Sequence, residues 1–484
     1  MDFDEAYAHL SAKGPGRMVP DLSRITELAS LLGDPQLAYP SIHVTGTNGK
    51  SSVTRMTATL LSALGLTAGT YTSPHLQTVR ERFTVAGRFI GEQRFGEIYD
   101  EVARLADFVD NDLEARGKPD RITYFELLTA MAYWWFADVP VDIGVFEVGM
   151  GGTWDATNLI RGEVAILTPI DIDHMQQLGN KPEVIAKEKA GIIKPGSAVV
   201  VGRQSDAVMA VIAQAADLAG ATVSRWGTDH DVVSRRVAVG GQYIALRVGD
   251  RVIDEIMLPL HGSHQADNAA LALAAVAAFL PDGFARVDDA LIRQAFLAVV
   301  SPGRLEIVHR EPTVVLDGAH NPHGARTSAA ALTEAFEFRH LVLVLAVLED
   351  KDVEGIVAAY ADVANHVIVT EAPSGRTAGL ARIHEAATVV WEGTGVAVET
   401  AKDIDEALAL ATGIAGEGDG ILVTGSLYTV GAARDIYLQV TDTGDEVVYE
   451  PADLTEEEEE AEFQRAIDEM IDRVDEAALT DPDD

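Results

Sequence analysis

The chain has no cysteine among its 484 residues. That excludes disulfides, thiolate zinc centres and a cysteine nucleophile, and leaves His, carboxylates and hydroxyls to hold any metal, a donor set that favours hard cations such as Mg2+. Basic residues are scarce. The 37 Lys and Arg stand against 76 Asp and Glu, a net charge of −39, which disfavours nucleic acid and anionic lipid because both are bound through basic patches. Long apolar runs are missing as well: Ala269 to Leu280 and Leu341 to Leu348 fall short of the roughly 18 residues that a membrane-spanning helix needs. The acidic stretch Met1 to Leu10 lacks the basic and apolar segments of a secretory signal, so a cytoplasmic location is the expectation.

What is present is a globular composition, 47% hydrophobic, long enough for two or three domains. The acid is unevenly spread: residues 441–484 carry a net −17 and the remainder −22. From Tyr39 to Thr45 the chain reads as a strand running into a Gly-rich turn, and Ser51 to Leu64 has helical periodicity. Ile143 to Val148, Val164 to Leu167 and Ala198 to Val201 read as further buried strands between helices, which predicts a mostly parallel α/β sheet. Val223 to Leu258 alternates in shorter runs and predicts an antiparallel patch. Ser301-Pro302-Gly303 breaks the pattern. Beyond it, strands near Thr313 to Leu316, Leu341 to Ala346, Val367 to Thr370 and Ile421 to Val423 alternate with helices, predicting a second, smaller Rossmann-like α/β domain. The expected division is therefore 1–300, 301–440 and, where strand character is lost, an acidic and disordered tail over 441–484.

Three motifs carry chemistry. Thr45-Gly46-Thr47-Asn48-Gly49-Lys50-Ser51-Ser52 lies between a strand and a helix, where glycines let backbone N–H groups face phosphate, the helix N-terminus favours an anion and Lys50 supplies a cation. The common P-loop pattern has glycine where this chain has Val44, so the loop is a variant. A Gly-Asn turn before a capped helix would look similar locally. In Val145-Phe146-Glu147-Val148-Gly149-Met150-Gly151-Gly152 a carboxylate ends an apolar strand, where a divalent cation would relieve the cost of its burial. Asp171-Ile172-Asp173-His174 follows the next strand, and loops at the carboxyl ends of parallel strands converge on one site. His174 could reach the same metal, although a lone loop histidine is more often an ordinary hydrogen-bonding residue.

Taken with Tyr71-Thr72-Ser73-Pro74-His75-Leu76, Glu81-Arg82, Thr123-Tyr124-Phe125-Glu126, Lys187 to Ile193, His264-Gln265 with Asn268, Pro302-Gly303-Arg304, Asp317 to Pro322 and Thr424 to Tyr428, these motifs resemble the Mur ligase superfamily, and within it the folylpolyglutamate and dihydrofolate synthases. The resemblance runs over residues 1 to 440. It implies an ATP- and Mg2+-dependent ligase adding L-glutamate to a folate or dihydropteroate carboxylate through an acyl phosphate, acting as a monomer. It implies Ser52, Ser73, Glu147, His174 and a carbamylated Lys189 as metal ligands, Gly46 to Ser52 with Asn268, Arg304 and Asp317 on ATP, and Thr123, Tyr124, Phe125, Glu126, Trp154, Asp155 and Ala156 on the pterin substrate. Lys50, His174, Lys189, Arg304 and His320 are the expected catalytic set. Folate members commonly have glycine at the position of Ser51, so which of Ser51 and Ser52 meets magnesium stays open. Two other readings share the loop: a Mur-type ligase acting on a cell-wall precursor, and a nucleotide-gated binding protein without ligase turnover.

Overall fold

The protein is described by a computed structural model covering residues 1–14, 20–118, 120–173, 175–442 and 447–451. The first sheet has eight strands: β1 (Ser41–Thr45), β2 (Ala68–Tyr71), β3 (Phe83–Val85), β4 (Arg88–Phe89), β5 (Ile143–Glu147), β6 (Val164–Leu167), β7 (Ala198–Val201) and β8 (Thr222–Arg225). Their order is β4-β3-β2-β5-β1-β6-β7-β8. Strands β1, β5 and β6 are buried along their whole length, as strands covered on both faces by helices are, which explains the apolar runs of β5 and β6; the polar side chains of β1 find partners inside, His43 with Thr157 and Thr45 with Gly151 O. All pairings from β2 to β8 are parallel, and the hairpin strands β3 and β4 add an antiparallel edge.

Chain order reverses around β1, which lies between β5 and β6, and this reversal positions the site. The Gly-rich loop leaves β1, Glu147 ends β5 opposite Val44, and Asp171 to Asp173 follow β6. The carboxyl ends of three neighbouring strands thus open on one crevice, as expected for such a switch point.

Strands β9 (His230–Ala238), β10 (Gly241–Val248) and β11 (Arg251–Leu258) form a separate antiparallel sheet. The expected antiparallel patch began earlier, at Val223. That residue belongs instead to β8, parallel to β7 at the edge of the main sheet, and Thr-Val-Ser-Arg is half-exposed there, so it lacks the apolar run of an interior strand. The Ala-rich helix Ser263–Phe279 packs between the three-stranded sheet and the helix Lys50–Ala63 that follows the Gly-rich loop, in one core.

The second sheet starts at Arg304. Strands β12 (Arg304–Arg310), β13 (Thr313–Asp317), β14 (Leu341–Leu345), β15 (His366–Val369), β16 (Ala397–Thr400) and β17 (Gly420–Thr424) are ordered β12-β13-β17-β14-β15-β16, parallel except for the β12–β13 hairpin. Where the sequence reading lost strand character, β18 (Leu438–Asp442) pairs antiparallel with β19 (Val447–Pro451). The rest of the acidic segment, 452–484, lies outside the described residues. Among the described residues no helix is long and apolar enough to cross a membrane.

Candidate active site between two α/β domains

The Gly-rich loop is held by its neighbours before any ligand arrives. Thr47 N donates to Pro169 O at 3.0 Å, Thr47 Oγ1 donates to Asp171 O at 2.8 Å, and Thr168 Oγ1 donates to Asn48 O at 2.7 Å. Two glycines are required by this geometry. Gly46 has φ +148°, and a Cβ there would strike the Thr168 side chain; Gly49 has φ +86°, and its Cβ would lie 2.6 Å from Asn268 Oδ1. Left-handed φ of this kind is open to glycine at little cost. Gly49 caps the helix Lys50–Ala63 without a side-chain bond, which leaves the first-turn N–H groups to face the crevice.

Lys50 and Lys189 meet at one carbonyl. Lys50 Nζ donates to Gly46 O at 3.2 Å and to Thr47 O at 3.0 Å, while Lys189 Nζ donates to Gly46 O at 2.6 Å. Burial lowers both amines. Lys189, 4% exposed, falls to about 7, with the Lys50 charge adding to the effect of burial. Lys50 is lowered by burial and partly restored by Glu147 and Asp173.

Glu147 is 1% exposed, and burial raises its carboxyl above the ordinary value against the opposing pull of Lys50. Its Oε1 accepts from Ser51 Oγ at 2.9 Å and its Oε2 from Ser73 N at 3.2 Å. The two serines after Lys50, between which the sequence left the metal contact open, take different partners. The hydroxyl at Glu147 belongs to Ser51, whereas that of Ser52, also on the cavity wall, is bonded to Ser301 Oγ at 3.0 Å. Alternation around the helix start accounts for this, since consecutive residues point about 100° apart. His174 lies outside the described residues. Among the described residues no three His or carboxylate side chains cluster as a ready-made metal cage. One buried carboxylate with an adjacent hydroxyl does fit Mg2+, which keeps waters and is commonly bound by one or two carboxylates plus phosphate oxygens.

The second domain closes the crevice. Its loop after β13 brings His320 and Asn321, and the loop after β14 brings Lys351. Lys351 Nζ bonds Asp173 Oδ1 at 2.6 Å with both side chains buried. Asn321 and Asn48 exchange amide bonds at 3.0 and 3.4 Å, and Asn321 Nδ2 also reaches Asp173 Oδ2 at 3.2 Å. His320 Nδ1 donates to Gly318 O at 2.8 Å, and burial with the Lys351 charge lowers its imidazole to about 3, so the ring is neutral. Asp317 accepts from Leu305 N and Ala319 N at 3.1 Å, and Arg304 Nη1 donates to Gly303 O at 3.2 Å. Between the domains lies a cavity of about 340 Å3 whose wall includes Lys50, Glu147, Asn268, Arg304, Asp317 and His320.

Sequence reasoning brought most of these together and missed some. Lys351 and Arg376 line the same cavity, but neither sits in a spacing that signals chemistry. The expected acceptor contacts lie outside the cavity wall. Glu126 forms the capping box with Thr123 and is paired with Arg24 at 3.0 Å, both buried. Asp155 accepts from Met150 N and from Thr157 N and Oγ1, and Ala156 O accepts from Tyr133 Oη. Phe125 packs on Gly149, Trp154 is half-buried against Gly151, and Tyr124 lies under the Arg82 guanidinium. None of Thr123 to Glu126 or Trp154 to Ala156 forms part of the cavity wall.

Two family models match the chain, the Mur ligase middle domain over residues 44–276 and the Mur ligase glutamate ligase domain over 303–427. A fold of this kind with this crevice is a Mur ligase. Dihydrofolate synthase/folylpolyglutamate synthase of Mycobacterium tuberculosis is 45% identical over 445 residues, 87% of this chain and 91% of that protein. The solved structure of the Mycobacterium tuberculosis folylpolyglutamate synthase complexed with ADP superposes with a TM-score of 0.85 at 43% identity, covering 90% of this chain and 97% of that one. A folylpolyglutamate synthase complex with AMPPCP and folate gives 0.78 at 30% identity, covering 90% and 99%. The chain belongs to the folylpolyglutamate synthase/dihydrofolate synthase family.

Proposed function

We propose that the crevice between the two α/β domains is where this ligase forms an amide bond, with the residues divided between nucleotide, metal and glutamate as follows. The chain is an ATP-dependent enzyme that joins L-glutamate to the carboxylate of a folate or dihydropteroate. A free carboxylate is unreactive toward an amine because oxide is a poor leaving group, and transfer of the γ-phosphoryl group to it gives an acyl phosphate that the glutamate amine can attack. No nucleophilic side chain is needed; positioning and charge neutralisation suffice.

Lys50, released from Gly46 and Thr47, neutralises the phosphates above the helix N-terminus. Asn268, Arg304 and Asp317 hold the nucleotide from both domains. Glu147, Ser51 and Ser73, with His174, would hold Mg2+, which when bound neutralises phosphate charge. Neutral His320 offers Nε2 as a hydrogen-bond acceptor beside Asp173, suited to orienting the attacking amine. Lys351 and Arg376, paired here with Asp173 and Asp350, line the same cavity and would exchange those partners for the carboxylates of glutamate. Lys189, buried and lowered to about 7, has at neutral pH the free amine that carbamylation requires, and a carbamate there would add an oxygen ligand. Because one chain supplies the whole cavity, a monomer is sufficient.

The observation that carries this reading is the single cavity bounded by Lys50, Glu147, Arg304 and His320 from two domains. Purified protein with ATP, Mg2+ and L-glutamate should release phosphate and yield a mass gain of one glutamyl unit on dihydropteroate, on a tetrahydrofolate, or on both. ATP turnover that does not depend on glutamate would refute it.

A further inference from the structure

Arg82 is a buried charge that none of the roles above uses. It ends the short turn Val79–Arg82 and is 7% exposed. Its surroundings are unusual for a guanidinium, because among the described residues no carboxylate stands within ion-pair distance of it. The nearby acids are committed elsewhere. Glu81 accepts from the backbone N–H groups of Leu76, Gln77 and Thr78, Glu92 pairs with Arg80, and Glu126 pairs with Arg24. Arg82 itself donates Nε to His75 Nδ1 at 2.9 Å, and its guanidinium carbon stands 5.7 Å from the centre of the Tyr124 ring. Because His75 Nδ1 accepts from Arg82, it carries no proton there and the imidazole is neutral. Neither partner carries negative charge. A buried cation without a counter-ion is costly, and such a group is retained where a ligand completes the pair.

Its address indicates which ligand. Thr72 N donates to Arg82 O at 3.1 Å, the next residue Ser73 donates its N–H to Glu147, and Ser73 and Pro74 form part of the cavity wall. Arg82 is therefore one residue-pair behind the wall where the acyl phosphate would form, stacked on the first residue of the helix Tyr124–Asp138. An acceptor ending in glutamate brings two carboxylates to this wall, one that reacts and one that does not. A dihydropteroate brings only the reacting one.

We propose that Arg82 binds the non-reacting carboxylate of the acceptor's terminal glutamyl residue and so distinguishes glutamylated acceptors from dihydropteroate. The planar fork of the guanidinium matches a carboxylate with two parallel hydrogen bonds, and the Tyr124 ring and His75 fix its plane. This rests on the function proposed above.

The test is a kinetic cycle with tetrahydrofolate monoglutamate and its α-carboxamide analogue as acceptors, on the unsubstituted enzyme, Arg82→Gln and Arg82→Lys. The unsubstituted enzyme should prefer the carboxylate by roughly 10- to 100-fold in kcat/KM, the range for a charge-assisted hydrogen bond. Arg82→Gln should lose that preference through KM for the parent acceptor, Arg82→Lys should regain part of it, and KM for dihydropteroate should change little. Equal losses on both acceptors, or no preference by the unsubstituted enzyme, would overturn the assignment. The second result stands even where Arg82→Gln fails to fold. Inactivity of the unsubstituted enzyme on the parent acceptor would instead refute the proposed function on which the assignment depends.

Discussion

Replacing Lys189 with methionine should stabilise the ligand-free protein at neutral pH while disabling the enzyme. Burial moves the Lys189 ammonium from 10.5 to about 7, which corresponds to roughly 4 to 5 kcal/mol of unfavourable charge burial at pH 7 and below. Methionine fills the space with a neutral chain but gives up the bond to Gly46 O, worth about 1 kcal/mol, and Lys50 still satisfies that carbonyl. The net expectation is a gain of about 3 kcal/mol. Its pH dependence has a defined sign. Between about 7 and 10.5 the unfolded chain carries the Lys189 proton and the folded one does not, so the unsubstituted protein gains stability as pH rises through that window. The advantage of Lys189→Met is therefore largest near pH 7 and disappears toward pH 10. Urea denaturation of both proteins at pH 7, 8.5 and 9.5, in CO2-free buffer so that no carbamate forms, measures it. A difference that does not shrink with pH, or a variant that is less stable throughout, would show that Lys189 is charged and accommodated in the fold.

Three further outcomes are expected. Lys50→Ala should reduce phosphate release on the order of 10^2- to 10^3-fold while the far-ultraviolet circular dichroism stays unchanged. Ser51→Ala should raise the half-saturating Mg2+ concentration by roughly 10- to 100-fold, as loss of a ligand or its support does, whereas Ser52→Ala should leave that titration close to the unsubstituted curve; the reverse order would assign the metal contact to Ser52. Gly49→Ala, forced to adopt φ +86° with its Cβ against Asn268, should cost about 1–3 kcal/mol and lower the thermal midpoint accordingly.

The main sheet and the order of the motifs were legible because both leave local signals. Unbroken apolar runs mark strands covered on two faces, and a glycine-rich loop between strand and helix has few other uses. The edge strand β8 was hidden because half-exposed Thr-Val-Ser-Arg has no interior signature. The positions of Ser52, Glu126 and Asp155 came from resemblance, which identifies positions but not the partners a side chain takes inside its own chain. Ser52 bonds Ser301 at the cavity wall, and the two carboxylates are bonded to Arg24, a helix cap and a tight loop. Lys351 was hidden by distance: its partner Asp173 is 178 residues earlier in the chain, and only the packing of one domain on the other brings them together.

The carbonyl of Gly46 accepts from two lysines, Lys50 at 3.2 Å and Lys189 at 2.6 Å. A loop that relied on Lys50 alone would lose the bond to that carbonyl when the amine swung over to phosphate, and a buried carbonyl without a donor is penalised. Here one amine can leave while the other stays, so the loop can exchange its internal partner for a nucleotide without reshaping its own backbone.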